Sequence, residues 1–181
     1  NHSHNIKLGL LGISHDVDQQ WHAIRNKYDG EANQSDVYEP EIFGDTTVYA
    51  DLYKVAPQEG AAYLQDKMEF DNMVVNVGLR YDVFDPVSVY PSNRRNPSNQ
   101  LLYKDTSGVL IDSLMSTYPD ADIIDQVSPR IGFAYQLGNQ AVLHFSYGHF
   151  FQMPPLYAMY QNHSYLIPPN DHGTTMGNVR L

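Results

Sequence analysis

Apolar and polar side chains alternate strictly over several runs of about nine or ten residues, and nothing else in the sequence constrains the fold as tightly. Across 74–82, Val75, Val77, Leu79 and Tyr81 alternate with Asn76, Gly78, Arg80 and Asp82. A period of two predicts a β-strand with one apolar and one polar face. The pattern returns over 128–137, where Ile131, Phe133, Tyr135 and Leu137 oppose Arg130, Gly132, Ala134 and Gln136. It returns again over 141–150, with Leu143, Phe145 and Tyr147 opposite His144, Ser146 and Gly148. Two further strands are expected. In 61–70, Leu64, Met68 and Phe70 share a face that Asp66 interrupts. The run 6–14 is apolar on both parities and weakened by Gly9 and Gly12. These lengths suit strands that cross a bilayer at a tilt.

The connections sharpen the reading. Asp71-Asn72 and Gly138-Asn139-Gln140 are hairpin turns made of turn-forming residues. The other connections, 15–60 and 83–127, and the tail 152–181, are far longer. Alternate strands reverse direction, so both tight turns fall at one end of the sheet and every long segment at the other. Long structureless loops are uncommon inside compact soluble domains. Short periplasmic turns with long outer loops are the expected pattern of an outer-membrane barrel. A soluble β-sandwich also alternates apolar and polar positions, so periodicity leaves both architectures open. In the sandwich case the chain is a secreted module that binds glycan or protein through its tyrosine-rich loops.

Composition excludes other classes. With 11 Lys+Arg against 21 Asp+Glu, the formal net charge of -10 argues against nucleic acid as a partner. There are no cysteines, hence no thiolate metal site, disulfide framework or cysteine nucleophile. The 14 tyrosines suit boundaries between oil and water. No run approaches the roughly 20 apolar residues of a membrane-spanning helix. Asn1 is not a translation start and no signal peptide opens the chain, so a segment of something longer is expected. Five strands cannot close a bacterial barrel, which needs an even number of at least about eight.

Four short motifs give the strands a family resemblance. Tyr63-Leu64-Gln65-Asp66, returning through Gly78-Leu79-Arg80-Tyr81-Asp82, resembles the YxQD…GxRYD hairpin of TonB-dependent outer-membrane receptors. Ser128-Pro129-Arg130-Ile131-Gly132 resembles the SPRxG opening of that family's next hairpin. Phe145-Ser146-Tyr147-Gly148-His149-Phe150-Phe151 resembles its FSYGxxF return. Gln152-Met153-Pro154-Pro155 extends it in the manner of large receptors with a carboxypeptidase-regulatory-like N-terminal extension. The likeness is good from about Tyr53 to Tyr160. It implies an all-β fold: antiparallel up-and-down strands forming part of a large transmembrane barrel of about 22 strands, with long extracellular loops. Residues 1–181 would be one partial barrel domain, with the plug domain absent. The resemblance further implies the bacterial outer membrane, import of a scarce ligand, and energy drawn from an inner-membrane transducer through the plug.

Barrel parity then assigns side chains. Val75, Val77, Leu79, Tyr81, Ile131, Phe133, Tyr135, Leu143, Phe145 and Tyr147 are expected to face lipid. Asn76, Arg80, Asp82, Arg130, Gln136, His144 and Ser146 are expected to face the lumen. Arg80 and Arg130 would pair with Asp82 and Asp66, bind the plug, or contact an anionic ligand. Ligand contacts fit the long loops better, through Tyr38, Tyr49, Tyr90, Tyr118 and Tyr157, and nothing ranks these. Asp120, Asp122 and Asp125 offer oxygen ligands at a spacing calcium tolerates, but without the EF-hand glycine a solvated acidic loop is the simpler reading. His144 and His149 fall on opposite parities, which argues against a metal or catalytic pair. No nucleophile-elbow pattern surrounds Ser146. No cofactor and no enzymatic activity are expected.

Overall fold

The computed structural model describes residues 3–28, 38–168 and 173–180. They fall into two compact units. The first is a five-stranded antiparallel sheet of β1 (Ser3–Ser14), β6 (Gln58–Phe70), β7 (Met73–Asp85), β8 (Ile124–Leu137) and β9 (Ala141–Gly148), in that spatial order. Asp71-Asn72 turns β6 into β7, and Gly138, at φ 63, turns β8 into β9. That left-handed conformation is easy for glycine and costly for a residue with a Cβ.

The register sorts the side chains. Met68, Leu64 and Ala62 stand opposite Val75, Leu79 and Tyr81. Val75 and Val77 stand opposite Phe133 and Ile131, which stand opposite Phe145 and Tyr147. Direct cross-strand partners share a face, so one face is an apolar field, interrupted at Asp66, running from Leu8 and Leu10 on β1 to Leu143 on β9. That field is uncovered, with Leu10 82%, Leu8 72% and Phe145 58% exposed. A sandwich would bury the same field against a second sheet, and among the described residues of this unit there is no second sheet.

Four strands reach further than their sequence bounds: β1 begins at Ser3 and not at residue 6, and three others outrun the alternating pattern. β6 and β7 hold 13 residues each and β8 holds 14. At about 3.4 Å per residue and a tilt near 45°, a 13-residue strand spans about 30 Å along a membrane normal, a little more than the roughly 25 Å apolar band of a barrel. The extra length is polar or mixed, as in Gln58 opposite Asp85, and so was invisible to a period set by apolar residues. β9 is shorter than its sequence pattern, ending at Gly148 and not at residue 150. Pro129 is the cause. His149 donates its N–H to the Pro129 carbonyl at 3.1 Å, but proline has no N–H to return, and the ladder stops.

The second unit comprises 16–55, 88–121 and 154–181. Segment 15–60, read from sequence as a loop, contains two ladders: β2 (Val17–His22) with β5 (Ala50–Val55), and β3 (Ile24–Asn26) with β4 (Pro40–Ile42). A single 3-10 turn at Asp112–Leu114 and one short helix, α1 (Leu156–Tyr160), complete the described elements. Among the described residues no helix is long and apolar enough to cross a membrane.

On the polar face, Gly9 lies opposite Tyr63, whose ring covers it so closely that a Cβ there would collide with the ring. Gly9→Val in the full receptor is therefore expected to destabilise the folded barrel by about 1–3 kcal/mol. Tyr63→Ala in the same chain should recover part of the loss. Denaturant unfolding in detergent measures both, and equal losses with and without Tyr63 would contradict the packing.

Candidate functional site

The polar face of the sheet is built from alternating small and long side chains. Gly78, Gly132, Ser146 and Gly148 leave a depression of ≈ 900 Å³, whose rim carries Lys7, Tyr63, Gln65, Asn76, Arg80 and Arg130. Gln65 Nε2 donates to Asn76 Oδ1 at 2.7 Å across the β6–β7 pair. Arg80 and Asp82, two apart on β7, share this face. The Arg80 Nε donates to both Asp82 oxygens at 2.8 and 3.0 Å, and Nη2 lies 2.8 Å from Oδ1. Asp82 is buried, so the fork supplies the hydrogen bonds its carboxylate needs. Arg130 takes no such partner and lies over the Phe150 ring, 5.0 Å from its centroid.

Asp66 does not join these arginines. It stands opposite Ile6 and Val77 on the apolar face, and its Oδ2 meets His4 Nδ1 at 2.8 Å. Strand parity forbids the reach to Arg80, and the expectation of an Asp66–arginine pair is corrected. Among the described residues Lys7 and Arg130 are left without an ion pair. The depression is thus net cationic.

The ten apolar positions from Val75 to Tyr147 lie together on one face by register. Asn76, Arg80, Asp82, Arg130, Gln136, His144 and Ser146 lie together on the other. Asn76, Arg80, Arg130 and Ser146 line the depression, whereas Asp82, Gln136 and His144 do not. The calcium candidate is not assembled. Asp125 is fixed in β8 opposite Val83, and Asp120 is bridged to Val89. Among the described residues no group of three or more His, Asp or Glu could hold a metal.

Within the loop unit, order comes from amides. Asn96 is buried, donates to Leu101 O at 2.8 Å and accepts from Leu101 N–H at 2.9 Å. Asn99 makes the same reciprocal pair with Ser116, at 3.0 and 2.6 Å. Asn93 and the Ser116 hydroxyl close the set. Side-chain amides that mimic a backbone partner can order a loop without a sheet. From sequence this segment reads only as a long loop.

The tyrosines divide into two groups. Tyr118 stacks on Tyr165 at 6.2 Å, and Tyr90 lies beneath Arg180 at 4.4 Å. Tyr53 and Tyr160 are buried against His163 at 5.6 and 6.5 Å. Tyr38, Tyr49 and Tyr157 are exposed. Sequence reasoning missed Trp21, which is exposed on β2, because its run was taken as loop.

An antiparallel wall with one uncovered apolar face, one polar face and elaborated loops defines a transmembrane β-barrel protein. The profile of the family described as TonB dependent receptor-like, beta-barrel, matches residues 1–180, and the chain belongs to that family. Its members are receptors and transporters of the bacterial outer membrane, coupled to TonB-linked energy transduction. Comparison with curated proteins and with solved structures gave no match.

Burial holds the His163 imidazole below its usual range, with the nearby Asp51 opposing the shift. A lowered folded-state value means the unfolded loop takes up the proton first as pH falls. Its contribution is complete above about 6.5 and erodes below that. Amide protection around 157–165, corrected for intrinsic exchange, is expected to fall between pH 7.5 and 5.0. In His163→Gln it should change little, and an identical fall in that variant would assign the pH response elsewhere.

Proposed function

We propose that this chain is a section of the wall and outer loops of a receptor that imports a scarce ligand across the bacterial outer membrane. The observation that carries this reading is the two-faced sheet: an uncovered apolar field on one side, and a cationic, glycine-floored depression on the other. In lipid the apolar field meets hydrocarbon and the depression faces the lumen. The open edges of β1 and β9 pair with further strands, since an unpaired edge in hydrocarbon costs several kcal/mol per group. Lys7 and Arg130 then offer two cations to whatever fills the lumen, and acidic side chains of a plug fit them best. The plug links the barrel to the energy transducer of the inner membrane. The Gln152-Met153-Pro154-Pro155 extension supports placing the receptor among those with a carboxypeptidase-regulatory-like N-terminal extension.

The parity is tested in the full receptor. Val77→Arg should destabilise the barrel by about 2–4 kcal/mol and Asn76→Arg much less. Similar losses at the two positions would defeat the lipid-facing assignment. Orientation is tested on intact cells. Lys104 to Leu110 form an exposed turn, and trypsin should cut after Lys104. A protease site inserted at Gly138 should stay intact until the outer membrane is opened, and its cleavage from outside would invert the topology.

A further inference from the structure

We infer that the apolar face of the sheet carries a lipid-headgroup site, a notch at His4 and Asp66 that takes the primary ammonium of a phospholipid. Asp66 is enclosed by apolar neighbours. Ile6 and Val77 stand directly opposite it on the adjacent strands, and Leu64 and Met68 flank it on its own strand face. The other carboxylates of this face among the described residues, Asp85 and Asp125, sit at the strand ends away from the tight turns. An ionised group set among lipid-facing side chains is costly, and such groups mark sites that a partner completes.

The pairing with His4 does not complete it. Asp66 Oδ2 meets His4 Nδ1 at 2.8 Å, while Oδ1 is buried with no hydrogen-bond partner among the described residues. A carboxylate only accepts, so this contact puts the imidazole proton on Nδ1 and leaves Nε2 of the neutral ring as an acceptor. The notch therefore keeps one negative charge and sets a second acceptor beside it. The His4 side chain is 59% exposed and that of Asp66 29%, so the pair opens outward through the imidazole. In hydrocarbon a carboxylate served by a single donor attracts a cation far more strongly than it would in water.

Position and chemistry together select the occupant. Asp66 lies four residues short of Phe70, where β6 ends, which is about 10 Å along the membrane normal for a strand tilted near 45°. His4 stands opposite Met68, about 5 Å nearer the turn. Polar groups thus lead inward from the tight-turn end, which is the periplasmic end of a barrel and faces the phospholipid leaflet. Beside them the exposed side chains of Ile6, Leu8 and Leu64 offer a surface to acyl chains. Two acceptors and a net negative charge call for a cation with at least two N–H donors. A primary ammonium has three and a quaternary ammonium none, and an anionic headgroup is repelled. An amphiphile with an ammonium head fits both the notch and the field around it.

The test is native mass spectrometry of the delipidated full-length receptor, at about pH 8, where a free imidazole is neutral. It is titrated with phosphatidylethanolamine, with its mono-, di- and trimethylated headgroup forms, and with phosphatidylglycerol, all of matched acyl chains. The unmethylated lipid should bind about fivefold tighter than the trimethylated one, with the intermediate forms between them. Asp66→Asn should abolish that preference, and Glu69→Gln, on the opposite face, should leave it intact. The methylation series alters no residue, so it decides the matter even if Asp66→Asn fails to fold. Equal binding of the unmethylated and trimethylated lipids overturns the inference and leaves a lysine of a neighbouring protein as the ammonium to fill the notch. A preference that survives Asp66→Asn, or falls equally in Glu69→Gln, overturns it too. The inference rests on the lipid-facing parity, which Val77→Arg and Asn76→Arg test separately. A receptor that passes that test yet shows no headgroup preference counts against the notch alone.

Discussion

Every strand in the sheet depends on neighbours for its backbone hydrogen bonds, and from this the rest of the structure follows. A helix satisfies its N–H and C=O groups within itself, but a strand satisfies them only through the chain beside it. β6, β7 and β8 each have two neighbours, whereas β1 and β9 have one each. With backbone polarity spent in the plane of the sheet, the side chains are free to make its faces opposite in character. That freedom lets one sheet present hydrocarbon-compatible residues on one side and arginine, lysine and glutamine on the other.

The two units use different devices because they answer to different solvents. In the sheet, regularity does the ordering and side chains need only have the right polarity. In the loop unit there is too little ladder to order 88–121, and asparagine amides stand in for the missing strand partners. Buried aromatic rings around His163 supply the apolar core that the loops would otherwise lack. Specificity suits such a region, since loops on a rigid scaffold can vary without disturbing the ladder beneath.

The sheet was legible in the sequence because its signal is local. Val75 to Asp82 declares its parity with no knowledge of its neighbours, and Asp71-Asn72 and Gly138 declare the turns. What the alternation could not show was long-range or polar. The outer ends of β6, β7 and β8 pair through Gln58, Asp85 and Ile124, which follow no apolar period. The β2–β5 ladder joins residues 28 to 38 apart, and Asp-Gln-Gln-Trp reads as loop until its partner is known. The placement of Asp66 was decided by parity, and its pairing with His4 depends on a strand whose apolar residues fall on both parities.

Pro129 leaves a mark that reaches beyond its own strand. The groups of β8 that point toward β9 alternate, so beyond Pro129 those of Val127 and Asp125 point the same way. The β9 ladder, which ends at the Arg130–Gly148 pair, gives them no partner. Backbone groups in that position need water or another polar surface, neither of which the bilayer core supplies. Beyond the Arg130–Gly148 pair this edge of β8 is therefore a polar one, and it calls for water or polar side chains beside it. One missing amide hydrogen thus sets where the regular ladder gives way to an edge that must be satisfied by other means.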